Sequence, residues 1–159
     1  MRIRRADASD LETVAEFNAL LAEESEGLAL DRDRLRAGVG AVLRDESLGM
    51  YFIAESDTGA AGQLALTYEW SDWRNGMFWW LQSVYVRPEF RRQGILRGLY
   101  GHVLNLARER GVCGIRLYVE KENSTAQRAY KRLGMERAVF HMYEVDFVIE
   151  RHHCRPGKS

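Results

Sequence analysis

Residues 84–98 read Val-Tyr-Val-Arg-Pro-Glu-Phe-Arg-Arg-Gln-Gly-Ile-Leu-Arg-Gly. A β-rich run ends at Val86, Pro88 stops it, and a basic loop with one glycine, Gly94, opens directly into a segment of helical periodicity. Such a junction builds an anion site. The first N–H groups of the helix have no partner within it, the positive end of its dipole points the same way, and Arg91, Arg92 and Arg97 stand beside it. A pyrophosphate fits that description. Two well-known phosphate loops do not fit, because Gly94 has no Lys-Ser/Thr pair after it and no second glycine two residues away. A solvated arginine cluster at a helix start is the plainer account of the three arginines. Their position behind a strand and Pro88 favours the site.

The rest of the composition narrows the field. A chain of 159 residues is the size of one domain, with enough sequence to bury a single core. Lysine plus arginine number 23 and aspartate plus glutamate 23, so no net field draws it to nucleic acid or anionic lipid. No apolar run is long enough to cross a bilayer, and Met1-Arg-Ile-Arg-Arg lacks the apolar core of a secretory signal. Cys113 and Cys154 form no metal-type spacing, and a reduced cytoplasm is the simplest setting. His152-His153-Cys154 has metal-ligand chemistry, but it lies in residues 151–159, whose composition reads as a flexible tail. His102 and His141 stand singly and read as ordinary helix or strand residues.

Working outward, residues 2–5 read as a first strand and Ser9 or Asp10 as the cap of a helix reaching about Glu24. Asp31 opens a second helix to about Arg44, with Leu35, Val39, Val42 and Leu43 as its apolar side. Residues 50–55, 62–70 and 77–86 read as strands, with Asp57-Thr-Gly59 and Asn75-Gly76 as turns. A helix follows the basic loop and ends at Gly111. Residues 115–119 read as a buried strand, 123–133 as a helix closed by Gly134, and 137–140 and 142–149 as two last strands. The expectation is a mixed α/β fold over residues 2–150: one central sheet of about seven strands, four helices, and a strand–loop–helix crossover that pairs its strands in parallel.

Arg91-x-x-Gly94-x-Leu96 resembles the acyl-CoA loop of the GNAT superfamily of N-acetyltransferases, usually Arg/Gln-x-x-Gly-x-Gly/Ala. Leu96 departs from the pattern at its last position. Asn123-Ser-Thr-Ala126-Gln-Arg-Ala-Tyr130-Lys-Arg-Leu-Gly134-Met resembles the second signature, Asn-x-x-Ala-x-x-x-Tyr-x-x-x-Gly-Phe/Met, and matches it throughout. The element order is also that of the GNAT fold over about residues 2–149. Each residue alone has an ordinary explanation, with Asn123 an N-cap, Tyr130 core and Gly134 a C-cap. Both motifs in the family's order do not.

The resemblance implies acetyl transfer from acetyl-CoA to a primary amine of a small molecule or peptide, by direct attack in a ternary complex. It places the phosphates on Arg91, Arg92, Gln93, Gly94, Ile95, Leu96 and Arg97, and the pantetheine arm along the main chain of Val84 and Val86 and past Asn123 and Ala126. Tyr130 falls where the family commonly keeps a tyrosine near the thioester sulfur. The chemistry asks for three things. An ammonium with a pKa of about 10 must lose a proton, an oxyanion needs a donor, and a thiolate leaving group with a pKa of about 8.5 gains from an acid. Tyr130 suits the third and main-chain N–H groups before Val86 the second. For the first, relatives often carry a carboxylate on the strand before the loop, where this chain reads Leu81-Gln82-Ser83-Val84. Glu69 on the neighbouring strand is the nearest candidate base. Asp72 suits a turn cap better, and a water relay would need no direct base.

Trp70, Trp73, Trp79 and Trp80 crowd one hairpin, and period-two alternation sets Trp79 and Trp80 on opposite faces. An aromatic wall near Glu69 would suit a cationic amine. Glu23, Glu24 and Glu26 could add attraction, although a solvated helix end explains them as well. A competing reading is a sensor that holds acyl-CoA without turnover, favoured by the missing acid at 82 and 83 and by Leu96. Nucleic acid, membrane and metal have no support in the pattern, and a homodimer is left open.

Overall fold

The protein is described by a computed structural model over residues 1–149. Strand β1 (Arg2–Arg5) leads to helix α1 (Leu11–Glu26), then α2 (Arg32–Arg44), β2 (Met50–Ser56), β3 (Gly59–Ser71) and β4 (Gly76–Val86). After the basic loop come α3 (Ile95–Glu109), β5 (Gly114–Arg116) and α4 (Ser124–Arg132). The strands form one sheet in the order β1-β2-β3-β4-β5. All neighbours are antiparallel except β4 and β5, which run parallel across the α3 crossover.

Local chemistry explains the boundaries. Asp7 and Asp10 cap each other's backbone N–H groups ahead of α1, and Gly27 ends that helix in the left-handed conformation. The Asp10 carboxylate also takes both terminal nitrogens of Arg4 at 2.7 Å, while Arg4 Nε reaches Glu55 at 2.7 Å. That bidentate pair ties β1, the helix start and β2 together. Asp31 caps α2, which keeps Gly38 and Gly40 in its interior.

Alternation sends one side of each strand to each helical layer. Met50, Phe52, Leu64, Leu66, Trp79 and Leu81 meet Ile95, Leu99 and Val103 of α3 on one face. Tyr51, Ile53 and Ala65 meet Val14 and Ala15 of α1 and Val39 of α2 on the other. Each fully buried Leu or Val contributes about 1.5–3 kcal/mol, so both helical layers are firmly held.

Among the described residues the sheet has five strands, not about seven. Residues 137–140 and 142–149 pair with no strand among the described residues. Leu133 and Met135 still pack on the core, but beyond them the chain is irregular to residue 149, with Val139, Tyr143 and Phe147 at 88–93% exposure. Alternation and β-branched content marked the stretch as strand-forming, yet a strand exists only where another supplies its ladder. The expected tail at 151–159, with His152, His153 and Cys154, lies outside the described residues.

Candidate acyl-CoA site

The loop is shaped as an anion cradle. A short 3-10 turn over Pro88–Phe90 follows β4, and Arg92 and Gly94 then take positive φ values of 62° and 85°. Gly94 is the N-cap of α3, and no side chain caps the helix. The first N–H groups, those of Ile95, Leu96 and Arg97, are therefore left to an outside acceptor. A Cβ built on Gly94 would meet nothing within 4 Å, so the glycine is required by its φ and leaves the approach open. Gln93 braces the loop by donating to the Glu89 carbonyl at 2.7 Å. Arg91 is placed differently from the expectation of a free phosphate ligand. Its Nε donates to the Val86 carbonyl at 2.9 Å and its terminal nitrogen to Glu24 of α1. Glu24 also accepts from the Tyr85 hydroxyl at 3.2 Å, so it is a strap from α1 to the loop rather than a solvated helix end. Burial, with Glu24 behind it, raises the Tyr85 pKa.

Above the loop, the sheet opens. β4 pairs with β5 only at Phe78–Gly114, Trp79–Ile115 and Trp80–Arg116, and then continues to Val86 without it. Within that unpaired stretch β4 carries a bulge. Gln63 faces Tyr85 and Ala65 faces Gln82, so Ser83 and Val84 together oppose Leu64. Ser83 has a φ of 48°, uncommon for a residue with a side chain. A buried polar chain reaches this point from α1. Asn18 Nδ2 donates to the Tyr51 hydroxyl at 3.0 Å, Gln63 Nε2 donates to Asn18 Oδ1 at 2.7 Å, and the same Nε2 faces the Ser83 carbonyl at 3.4 Å. Two acceptors around one atom fix which end of the amide is nitrogen. Gln63 Oε1 is buried with no hydrogen-bond partner among the described residues. Three buried polar groups and one orphaned oxygen cost stability that an apolar core would not.

On the helical side of the gap, Asn123 caps α4 by accepting from the Ala126 N–H at 3.0 Å. Ala126 is half-buried at the first turn, and Tyr130 follows one turn later. Burial pushes the Tyr130 phenol up to about 12, and no hydrogen bond to its hydroxyl occurs among the described residues. Among the described residues it is a protonated donor without a hydrogen-bond partner.

This geometry agrees with comparison to known proteins. Residues 12–135 match the acetyltransferase (GNAT) family. The chain belongs to that family. It is 33% identical over 79 residues to a thialysine N-epsilon-acetyltransferase of Caenorhabditis elegans, covering 50% of this chain and 49% of the relative. It is also 33% identical over 95 residues to a streptothricin acetyltransferase of Streptomyces lavendulae, covering 60% and 48%. The chain thus spans about half the length of these curated relatives. Among solved structures, a possible acetyltransferase from Clostridium difficile 630 superposes with a TM-score of 0.85 at 45% identity, covering 93% of this chain and 98% of that one.

The face of the GNAT sheet shared with α1 and α2 holds the remaining candidates. Glu69 accepts from Trp80 Nε1 through one carboxylate oxygen and from Arg116 at 3.1 Å through the other. The Arg116 guanidinium in turn stacks on Phe78, 3.7 Å from the ring centroid. Trp79 is buried on the opposite face, as alternation requires, and Asp72 closes the hairpin turn by accepting from Trp73 N–H. Nearer the bulge, Gln82 donates to Thr67 at 2.8 Å and accepts from the Tyr118 hydroxyl at 3.4 Å. Sequence reading missed Gln63, Asn18 and Tyr118. Gln63 was visible as the lone amide at an apolar position of β3, and Asn18 as the lone amide in the buried stripe of α1. Tyr118 carried no such signal.

Proposed function

We propose that the protein moves the acetyl group of acetyl-CoA to a primary amine of a small molecule or peptide by direct attack in a ternary complex. The single observation that carries this reading is the opening of β4 from β5 beside a bulge, directly above an uncapped helix start. A ladder left unmade on one side of β4 offers main-chain groups of Val84 and Val86 to an extended ligand. The loop from Arg91 through Gly94 to Arg97 offers N–H groups and positive charge to phosphates. The residues present fit acetyl-CoA, which supplies an activated thioester there.

Each chemical demand then falls to a group. The Ser83 carbonyl turns toward Gln63, and a trans peptide turns the Val84 N–H the opposite way, toward the β5 side. That N–H is the proposed oxyanion donor. Tyr130 is the proposed donor to the sulfur. A phenol at about 12 is always available to donate a hydrogen bond. Full proton transfer to a thiolate of ordinary pKa, about 8.5, would run uphill by about 5 kcal/mol unless burial raises the thiol as well. Hydrogen bonding to the departing sulfur is therefore its main role.

The backbone of Glu69 lies well along β3 from the bulge. It pairs with Phe78, five residue steps from Ser83, about 16 Å between backbones at a rise of about 3.3 Å per residue. Its carboxylate has lone pairs beyond the two engaged by Trp80 and Arg116. We assign it to holding the acceptor amine, with the proton leaving through water. That distance also favours a second reading, an acyl-CoA sensor without turnover. Thiol release from acetyl-CoA across polyamines, aminoglycosides, amino acids and basic peptides tests both, run beside Tyr130→Phe. Turnover with one amine class, much reduced in the variant, supports the enzyme. Tight acetyl-CoA binding without turnover on any amine supports the sensor.

A further inference from the structure

We propose that the acceptor carries a carboxylate, held by Arg116 and Arg74, at the far end of the molecule from its reacting amine. This rests on the acetyltransferase reading above and narrows its acceptor to an amino acid or short peptide, against a polyamine or aminoglycoside. The place is the sheet face of α1 and α2, past Ala65 where those helices cover it. There Thr67, Trp80 and Arg116 stand side by side in register, with Glu69 beside Phe78 in the next row. Thr67, Glu69, Trp80 and Arg116 are half-buried, so this part of the face is reachable from solvent.

Charge decides the class. Two guanidiniums stand at the Phe78 ring, Arg116 at 3.7 Å and Arg74 at 5.0 Å from its centroid. One carboxylate answers them, that of Glu69, and both its oxygens are engaged, by Trp80 Nε1 and by Arg116. Arg74 reaches the Ser71 hydroxyl at 3.5 Å and has no acid partner among the described residues. Asp72, the other acid of the hairpin, accepts from the Trp73 N–H. Arg116 gives one N–H to Glu69, and the rest of its planar fork, on a side chain 33% exposed, suits a carboxylate. Stacking on Phe78 fixes the plane of that fork. A polycation would instead meet two like charges. Register gives the reach. Arg116 pairs with Trp80, three residue steps before Ser83, about 10 Å at about 3.3 Å per residue. Carboxylate and reacting amine therefore sit far apart, as in lysine or triglycine. In lysine the α-ammonium then falls to Glu69.

Matched amines test this: L-lysine against lysinamide and cadaverine, and triglycine against triglycinamide. Thiol release from acetyl-CoA gives kcat/KM for each, and calorimetry gives its binding to the CoA-loaded protein. In at least one series the member with the carboxylate should lead by about tenfold or more in both, the scale of one charge-assisted hydrogen bond. Arg116→Gln should bring that ratio close to one in a protein that still melts cooperatively, since a partly exposed ion pair adds little to stability. Arg74→Gln, at an exposed turn, should lower the ratio in the same sense. Amides or cadaverine used as well as the carboxylates would overturn the carboxylate site and leave the enzyme standing. A ratio that survives both substitutions would overturn it equally. Carboxylate-selective binding without turnover would keep the site and move the protein to the sensor reading. Absence of both binding and turnover in the two series would overturn the site.

Discussion

Replacing Gln63 by methionine separates the cost of the buried polar chain from its use. Methionine keeps length and approximate volume but removes both polar atoms. Losing Nε2 leaves Asn18 Oδ1 without its donor, now at 2.7 Å, a penalty of about 1–3 kcal/mol for a buried acceptor. Losing Oε1 removes an oxygen that is already buried and unpaired, a gain in the same range of about 1–3 kcal/mol. The two offset, so unfolding free energy should change by less than about 1 kcal/mol and Tm by about 2–4 °C at most. The rate should not be spared. Ser83 would lose the contact that faces its carbonyl at 3.4 Å, and with it the brace on the Val84 peptide. Deleting an oxyanion donor outright costs about 10²–10³ in kcat. Loosening one through a long contact should cost about tenfold, equivalent to about 1.4 kcal/mol. Steady-state kinetics with the amine found by the panel should show kcat falling while the KM for acetyl-CoA holds. Calorimetry should show acetyl-CoA and CoA keeping their relative affinities, since the oxyanion exists only in the transition state. An unchanged kcat in a variant of unchanged Tm would refute the argument. A large drop in Tm would show instead that Oε1 has a partner in solution.

Tyr130→Phe should lower kcat by about 10²-fold with acetyl-CoA affinity changed less than about threefold. Because burial raises its folded pKa to about 12, activity that needs the protonated phenol is intact through neutral and mildly alkaline pH and fails only as pH rises through that value. An alkaline limb near pH 9 that vanishes in the variant would contradict it. Gly94→Ala forces a side chain to a φ of 85°, costing about 1–2 kcal/mol, and sets a methyl in the phosphate approach, so CoA binding measured by calorimetry should weaken more than stability. Gly114→Ala would set its Cβ 2.2 Å from a Phe78 ring carbon, costing about 1–3 kcal/mol by overpacking and shifting Arg116 off that ring, readable by denaturant melts. Arg4 holds the Asp10 carboxyl below its ordinary pKa. The stability this adds is present above the ordinary carboxylate range and is lost as pH falls through the lowered value, so Arg4→Met should remove that part of the acid transition in pH-dependent melts.

What sequence could and could not disclose follows the range of each interaction. Helix ends were legible because their causes are local: Asp31 caps α2, Gly27 stops α1, and Asn123 caps α4, each within four residues of what it controls. The strand–loop–helix junction with Gly94 as the N-cap of α3 was legible for the same reason. Glu69 shows where locality fails. The hairpin pairs it with Phe78, but its distance from the bulge depends on where β4 breaks pairing, which no short motif states. The Arg91–Glu24 pair was equally out of reach, because Glu24 is 67 residues away on another layer. Residues 137–149 have the alternation of strands, and alternation reports which faces suit burial without supplying the neighbouring strand that a ladder needs.

These residues share a cost that a sheet built only for stability would avoid. β4 gives up ladder bonds to β5 after Trp80, accepts a positive φ at Ser83, and is braced there by a core amide whose oxygen has no partner. Closing the ladder would pair the Val84 N–H and leave nothing to meet a developing oxyanion. A continuous β4–β5 pairing is thus incompatible with the proposed chemistry. The polar chain from Tyr51 through Asn18 and Gln63 lets the bulge persist inside an otherwise apolar core. If that is why the amides are there, Asn18→Leu should act on kcat through Gln63. The double variant with Gln63→Met should then be no slower than Gln63→Met alone, whereas independent packing roles would make the two losses multiply.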